Sequence, residues 1–342
     1  ISRKVRNSGL LTSEFDSGVE GLLNRLDSLD DLDVTDFLND WNDFIFRFGC
    51  RGPNEWEVSA NSWETKPELA LALLDRVRLQ DDSEAPEIRQ SAKTAERQEV
   101  IASIRATLAE MGNEELIGMF EGALVAGNMM EFRERTKTNL VRVINESRVI
   151  FYELGNRMAA EGHLEEPTHI FMLLDEELES FVSNPSDFTE QLAKRASDYE
   201  QLWTIEPPFF VKNGVVPPMT EWEVRGDDEM EAASVGEVLQ GVPGCPGTYR
   251  GKARVVTDPS DPRGLEPGEI LIAPLTDPAW TPLFMTAGAV VVNVGGQISH
   301  AVIVSRELGL PCVVAATDAT KRIPDGAEIE VNGDTGQVTL VS

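Results

Sequence analysis

The chain has 342 residues, of which 41% are hydrophobic and 26% charged, which is enough apolar content for two folded domains. Fifty-nine acidic side chains against 30 basic ones give a formal net charge of −29. Nucleic acids and anionic membranes both bind basic surfaces. We therefore predict that neither a nucleic acid nor a membrane is a partner of this protein.

The three cysteines, Cys50, Cys245 and Cys312, are widely spaced and form no C-x-x-C pair. This spacing predicts free thiols in a reducing compartment, with no disulfide framework and no metal site. No apolar run approaches the roughly 18 residues of a membrane span, and no secretory leader is visible. Together with the opening residue Ile1, these features predict a cytoplasmic protein that is a piece of a longer polypeptide.

The first 235 residues carry helical patterns. Apolar residues between Val34 and Phe48 recur at helical spacing and are followed by Gly49, a residue typical of helix ends. Further helices are predicted at about 100–111, 130–161 and 187–203. The pattern predicts a mostly α-helical N-terminal domain over residues 1–235.

The pattern changes after this region. Residues 204–240 are rich in proline, glycine and acidic side chains, and they predict a linker. Residues 241–342 alternate short apolar strands with helical stretches, which predicts a compact α/β domain with a mixed sheet. This domain carries a net charge of −4 (7 basic and 11 acidic residues), so most of the acidity belongs to the helical region.

His300 is placed for chemistry. It follows an apolar strand and the Gly295–Gly296 pair, and it opens a predicted helix for which Ser299 is a candidate N-cap. The positive end of a helix dipole disfavours imidazolium and stabilises a phosphoryl group. Local physics alone leaves two readings open, a phosphorylated histidine and a capping histidine at an ordinary strand–helix junction.

The segment GGQISHAVIVSRELGLPCVV resembles the phosphohistidine signature of the swivelling domain in phosphoenolpyruvate (PEP)-utilising enzymes. The matching positions are Gly295, Gly296, Ser299, His300, Arg306, Glu307, Gly309 and Pro311. The segments GVPGCPGTYRGKARVV and LTDPAWTPLF also fit this domain, so the resemblance covers residues 241–342. It implies that His300 is the phosphohistidine and that Gly295, Gly296 and Ser299 support the phosphoryl group.

A second resemblance lies in the helical region. Residues 46–67, FRFGCRGPNEWEVSANSWETKP, resemble the central domain of rifampin phosphotransferases, with Asn54 at a position where that family usually has glycine. This resemblance makes Arg51 and Glu55 candidate substrate-domain residues, and a buried ion pair that pins a loop is the alternative reading.

An Arg-Glu-x-x-Lys pattern of the same family falls on Arg133, Glu134 and Lys137. Arg133 and Lys137 are four residues apart, so they share one face of a helix. With the resemblance, they become catalytic candidates that would hold a phosphoryl group. The alternative is a solvated charged face.

The resemblance implies an ATP-dependent phosphotransferase of the dikinase type. An ATP-grasp domain, absent from this chain and expected before it, would bind ATP and Mg²⁺ and phosphorylate His300. The group would pass to a hydroxyl of a small-molecule acceptor such as a rifamycin, with AMP and phosphate as the other products, as in rifampin antibiotic resistance.

Two other hypotheses remain open. In the first, the chain is a phosphohistidine carrier subunit that serves a separate ATP-binding protein, with another alcohol, phenol or pyruvate-like acceptor. In the second, it is a binding or regulatory module in which His300 is a structural cap. No pyruvate-handling barrel follows residue 342, which disfavours a pyruvate phosphate dikinase or a PEP synthase.

Overall fold

A computed structural model describes residues 1–79, 86–208, 211–225, 230–259 and 264–342. Within these ranges, the side chains at 86, 87, 89, 128, 130, 131, 133, 134, 212 and 279 are not described. The helices are α1 (Ser2–Asn7), α2 (Gly9–Asp16), α3 (Leu22–Asp27), α4 (Leu32–Phe48), α5 (Glu68–Val77), α6 (Pro86–Met111), α7 (Glu114–Asn128), α8 (Met130–Ala160), α9 (Leu178–Ser183), α10 (Thr189–Leu202), α11 (Thr281–Thr286), α12 (His300–Leu308) and α13 (Ala319–Arg322).

The strands are β1 (Ile205–Glu206), β2 (Glu223–Val224), β3 (Val238–Gln240), β4 (Val242–Cys245), β5 (Thr248–Val255), β6 (Ile270–Ala273), β7 (Ala289–Val292), β8 (Cys312–Val314), β9 (Glu328–Asn332) and β10 (Gln337–Leu340). The described chain divides into two compact units. The first comprises Ile1–Glu55, Ala60–Val141 and Ala232–Ser342, and the second comprises Trp56–Ser59 and Arg142–Glu231.

Helix α4 organises the N-terminal helices of the first unit. The Asp31 side chain caps it by accepting hydrogen bonds from the backbone N–H groups of Asp33 and Val34. Its buried face includes Phe37 and Trp41, whose rings stack with their centroids 6.4 Å apart. Apolar side chains from α1, α2, α3 and α5 complete this core.

Gly49 follows α4 for a reason that its sequence position did not reveal. Its φ of −56° is right-handed, so the left-handed conformation that favours glycine at helix ends is not used here. A Cβ at this position would lie 2.5 Å from the carbonyl oxygen of Ile45 and 3.2 Å from the Cβ of Glu64. The glycine is therefore required by close packing of the following loop against the helix.

An eight-stranded mixed sheet forms the C-terminal part of the first unit, in the order β3-β10-β9-β5-β6-β7-β8-β4. Strands β5 to β8 are mutually parallel, while β3, β4, β9 and β10 make antiparallel pairs. All residues of β6, β7 and β8 are buried, because apolar layers cover both faces of the sheet. One layer includes α11 and α12, and the other includes α13.

The sheet domain also contacts the N-terminal helices within the first unit. Helix α5 contacts α11, and helix α6 contacts α12. Leu73 of α5 packs against the apolar layer that includes Leu283 and Phe284. The guanidinium of Arg76 lies over Gly264, 2.6 Å from where a Cβ would stand.

The second unit contains the C-terminal part of α8, helices α9 and α10, and the antiparallel pair of β1 and β2. Leu164, Ile170, Phe181 and Leu192 form its buried core. Partly buried polar contacts join its two chain segments. The Arg148 guanidinium donates to the Glu57 carbonyl at 2.9 Å, and the Tyr152 hydroxyl donates to the Ser59 carbonyl at 3.0 Å.

The predicted fold class is confirmed: mostly α-helical N-terminal elements are followed by a compact α/β domain. Two details differ. Val238–Gln240, placed in the predicted linker 204–240, pairs with β10 as an edge strand. The predicted helical domain 1–235 is divided between the two units, because Ile1–Glu55 and Ala60–Val141 share their contacts with the sheet domain.

Cys50, Cys245 and Cys312 are all buried, and none of the three forms a disulfide. Among the described residues, no helix combines the length and the apolar character needed to cross a bilayer.

We predict that Ile272→Ala on the central strand β6 lowers the free energy of unfolding by about 2 to 5 kcal/mol, because Ile272 is fully buried and the truncation leaves a cavity. Urea unfolding followed by circular dichroism measures this loss. Ile298→Ala is the control, because Ile298 is 89% exposed and its truncation should change the value by less than about 0.5 kcal/mol. Equal effects of the two variants would contradict the assigned burial.

Candidate functional site

His300 is the first residue of α12, at the end of the loop that leaves the buried strand β7. Its Nδ1 lies 3.2 Å from the Thr276 hydroxyl, and its Nε2 lies 3.4 Å from the Thr281 hydroxyl. The Phe284 ring packs edge-on against the imidazole, with centroids 5.7 Å apart. Two hydroxyls and one aromatic ring therefore fix the orientation of the histidine ring.

Ser299 occupies the backbone N-cap position of α12, as predicted, but its side chain makes no capping hydrogen bond. Its hydroxyl is buried without a hydrogen-bond partner. A Cβ on Gly295 would lie 3.1 Å from this hydroxyl, whereas a Cβ on Gly296 would meet open space. The structure thus explains a glycine at position 295 by close packing and gives no steric reason for one at 296.

Arg306, a residue of the phosphohistidine signature, anchors the loop that precedes His300. Its Nη2 donates to the Gln297 side-chain oxygen at 2.6 Å, and its Nε donates to the Gly244 carbonyl at 3.0 Å. The Gln297 side-chain amide also donates to the Pro243 carbonyl. Strand β4 and helix α12 are thereby tied to the same loop, which holds the histidine in place.

A cluster of two cations and one carboxylate lies in the same compact unit, formed by the loop after α4 and by helix α8. The Glu55 carboxylate forms ion pairs with the Arg51 Nε at 2.5 Å and with the Lys137 Nζ at 2.9 Å. Arg51 Nη1 also donates to the Thr138 hydroxyl at 3.4 Å. Glu55 is 3% exposed, Lys137 14% and Arg51 22%, so the cluster is largely withdrawn from water. We call Arg51, Glu55 and Lys137 the cation cluster.

The loop after α4 brings Arg51 and Glu55 together. The Arg51 carbonyl accepts a hydrogen bond from the Trp63 N–H at 2.8 Å, and a Cβ on Gly52 would lie 2.7 Å from the Asn61 carbonyl oxygen. Asn54 has a φ of +52°, in the left-handed region. Asparagine adopts this conformation more readily than other residues with side chains. Asn54 therefore supports the turn for which the related family uses glycine.

Electrostatics connect His300 to the cation cluster. Burial, together with the positive charges of Lys137 and Arg51, lowers the pKa of His300 from its ordinary value of 6.5 to about 4, and burial is the largest of these causes. The sequence suggested the helix N-terminus as the cause of a neutral ring. In the structure, burial and cations from a distant part of the chain are the causes. The imidazole is therefore neutral at pH 7, which leaves a nitrogen lone pair available for reaction.

The structure brings together four of the predicted site residues: His300, Lys137, Arg51 and Glu55. Arg133 lies on α8 four residues before Lys137, but its side chain is outside the described residues. Thr281 and Thr138 were missed, because a hydroxyl-bearing residue carries no sequence signal without its partner. Thr276 was noted only as part of the segment LTDPAWTPLF, and its place after β6 was the available clue.

The second unit has a cavity of about 890 Å³, a volume sufficient for a drug-sized ligand. Most of its lining is apolar or aromatic, including Phe171, Met172, Leu174, Tyr199 and Leu202. Arg195 also lines the cavity. Its Nη1 and Nη2 donate hydrogen bonds to the Glu177 carboxylate at 2.6 and 2.8 Å. This arrangement lowers the pKa of Glu177 to about 2, with the Arg195 hydrogen bond as the main cause.

Two protein families match separate parts of the chain. Residues 265–336 match the PEP-utilising enzyme mobile domain, and residues 1–134 match the rifampicin phosphotransferase fourth domain. In both matched parts the chain is similar to PEP-utilising enzymes of the rifampicin phosphotransferase type. His300, Thr276 and Thr281 lie in the first matched region, and Arg51 and Glu55 lie in the second.

Three relatives match most of the length of this chain. An uncharacterized protein of Mycobacterium tuberculosis is 34% identical over 295 residues, which is 86% of this chain and 30% of the relative. A rifampicin phosphotransferase of Streptomyces sviceus is 28% identical over 304 residues, 87% of this chain and 34% of the relative. A prodigiosin synthesizing transferase of Serratia marcescens is 29% identical over 309 residues, 88% of this chain and 33% of the relative. The chain spans about a third of the length of these relatives.

We predict that Lys137→Met raises the pKa of His300 above 4, because removal of a nearby positive charge stabilises imidazolium. The value should stay below 6.5, since burial, the larger cause, remains. Titration of the ¹⁵N-labelled imidazole by NMR measures it. Lys66→Met, at an exposed position, should leave the pKa unchanged. An unchanged pKa in Lys137→Met would contradict the electrostatic coupling.

Proposed function

We propose that this protein is a phosphohistidine phosphotransferase in which His300 receives a phosphoryl group and passes it to a hydroxyl of a small molecule. The observation that carries the proposal is the state of the His300 imidazole. It is half-buried at the start of helix α12, and burial and the positive charges of Lys137 and Arg51 keep it neutral. The match of residues 265–336 to the PEP-utilising enzyme mobile domain supports it.

The ring contacts support one division of labour between the two imidazole nitrogens. When the Thr276 hydroxyl accepts the hydrogen on Nδ1, the lone pair resides on Nε2, beside Thr281. Nε2 then attacks the phosphorus, and the donor's leaving group departs. In the second transfer, the acceptor oxygen forms a bond to phosphorus as the Nε2–P bond breaks, and the acceptor proton is lost to solvent. Because Nδ1 keeps its hydrogen, the ring leaves as neutral imidazole.

Lys137 and Arg51 supply positive charge for the second transfer. The transferring phosphoryl group carries charge on its equatorial oxygens, and cations already in place stabilise it without reorganisation. Arg51 takes the role of second cation that sequence patterns suggested for Arg133, because it is the arginine whose charge acts on His300 in the described part of the chain. Arg133 stays a prediction as an additional phosphate ligand.

The phosphoryl donor in this proposal is ATP with Mg²⁺, bound by an ATP-grasp domain in the same polypeptide or in a separate subunit. Water takes the other phosphoryl group of ATP, so the products are AMP, phosphate and the phosphorylated acceptor. A rifamycin is the first acceptor to test, because two relatives at 28% and 26% identity are named rifampicin phosphotransferase. The prodigiosin synthesizing transferase, at 29% identity, favours a panel that also includes other alcohols and phenols.

We predict that the complete protein with Mg-ATP releases AMP in response to a rifamycin and that His300→Ala abolishes this release. Chromatography of the nucleotides measures it. His163→Ala is the control, because His163 bonds to Ser186 in the other unit and should retain the activity. Turnover that requires His300 without a rifamycin would redirect the search for the acceptor, whereas AMP release that persists in His300→Ala would refute the phosphohistidine role.

We also predict that Lys137→Met and Arg51→Met slow the second transfer on the order of 100-fold while phosphorylation of His300 changes little. Phosphorylation should change little because burial, the largest cause of the lowered pKa of His300, remains in both variants. Rapid-quench experiments with labelled ATP separate the two steps. Lys66→Met and Arg47→Met, which alter exposed cations, are matched controls. Loss of His300 phosphorylation in the test variants would place the cluster in the first transfer.

A further inference from the structure

Glu55 is the member of the cation cluster that the proposed transfer leaves without a task. Its carboxylate is 3% exposed and is bound by both cations, with Arg51 Nε at 2.5 Å and Lys137 Nζ at 2.9 Å. Arg51 reaches it from the same loop, whereas Lys137 reaches it from helix α8. One buried carboxylate thus connects two elements that are distant in sequence.

We propose that Glu55 is a positioning residue, which holds Arg51 and Lys137 in the arrangement that receives the phosphoryl group of His300. This inference rests on the proposed function of His300. In it, Glu55 exchanges no proton or phosphoryl group with the acceptor, and its effect is exerted through the two cations.

Side-chain mobility is the first reason. Arginine and lysine have the greatest rotamer freedom among side chains, and a functional site requires them within about half an ångström of the productive geometry. A shared buried carboxylate removes this freedom before the phosphoryl group arrives. The Thr138 hydroxyl, 3.4 Å from Arg51 Nη1, adds a second restraint on the guanidinium.

Charge is the second reason. Two cations and one carboxylate leave the cluster with a net charge of +1. Without Glu55, a net charge of +2 would hold the phosphoryl dianion on His300 more tightly in its ground state and would slow its departure. Loss of the carboxylate should therefore slow transfer both through misplaced cations and through an over-stabilised phosphohistidine.

The test uses Glu55→Gln, Glu55→Asp and the control Glu14→Gln. Glu14 pairs with the Nε of Arg25 at 3.0 Å, the same kind of ion pair in the same compact unit but outside the site. His163 and His169 are replaced by glutamine in every protein, which leaves His300 as the sole histidine. Phosphoramidate, a small phosphoryl donor that releases ammonia, loads His300 without a nucleotide. ³¹P NMR then follows release of the phosphoryl group to water and its titration with pH.

Glu55→Gln should load as the parent does but release the phosphoryl group about 10-fold more slowly, by the same factor from pH 6.5 to 9. The phosphoryl pKa in this variant should fall, because a nearby negative charge is gone. Glu55→Asp keeps that charge but is one methylene shorter, so its phosphoryl pKa should match the parent while its release is slower. The double variant Glu55→Gln/Lys137→Met should be no slower than the slower single variant, because the residues act as a unit.

Release at the parental rate in both Glu55 variants would overturn the positioning role. A defect in Glu55→Gln that shrinks tenfold for each unit of rising pH would also overturn it, since that dependence identifies a general base. If Glu55→Gln does not fold by circular dichroism, Glu55→Asp decides by the same criteria. If phosphoramidate leaves no phosphoryl group on His300 of the parent, the proposed function fails, which is a different outcome from unchanged release in the Glu55 variants.

Discussion

The positive charge that acts on His300 comes from elements far from it in the chain, and the chemistry of the site depends on this meeting. A histidine in water titrates near pH 6.5 and is partly charged at neutral pH. Burial together with Lys137 and Arg51 brings that value to about 4, so the ring is uncharged and nucleophilic. The same cations that repel a proton attract a phosphoryl dianion. In the proposed function, one electrostatic arrangement thus favours both the neutral form of the histidine and its phosphorylated product.

The fold provides the two halves of this arrangement by different means. His300 and Thr276 follow the carboxyl ends of neighbouring parallel strands, the edge at which α/β sheets usually place functional groups. Because β6 and β7 are buried on both faces, the loops that follow them have a rigid base. Arg51 and Glu55 instead lie in an irregular loop, whose shape depends on a close contact at Gly52 and a left-handed residue at Asn54. Local backbone geometry thus substitutes for regular secondary structure.

Periodicity predicted α4 and the buried strands, but it did not predict the shorter N-terminal helices α1, α2 and α3. The apolar spacing of α4 and the short apolar runs of β6 and β7 correspond to buried faces, and such patterns survive in a single sequence. The linker prediction was wrong at its C-terminal end, since β3 is three residues long and becomes a strand only by pairing with β10. The motif singled out His300 as a candidate, and resemblance singled out Arg51, Glu55 and Lys137. The sequence did not predict that the charges of Lys137 and Arg51 act on His300, because these residues are far apart along the chain and only folding brings them near one another.

Leu73 stabilises the contact between helix α5 and the sheet domain. This partly buried side chain of α5 packs against an apolar layer of the sheet domain that includes Leu283 and Phe284. If the sheet domain moves away to receive a phosphoryl group, this contact has to break in each cycle, and Leu73 then becomes exposed to water. The time that the sheet domain spends beside the cation cluster would then depend on the apolar contact of Leu73, which takes no part in the proposed chemistry. A change in the size of the side chain at position 73 could therefore alter the rate of this domain movement without altering the reactive groups.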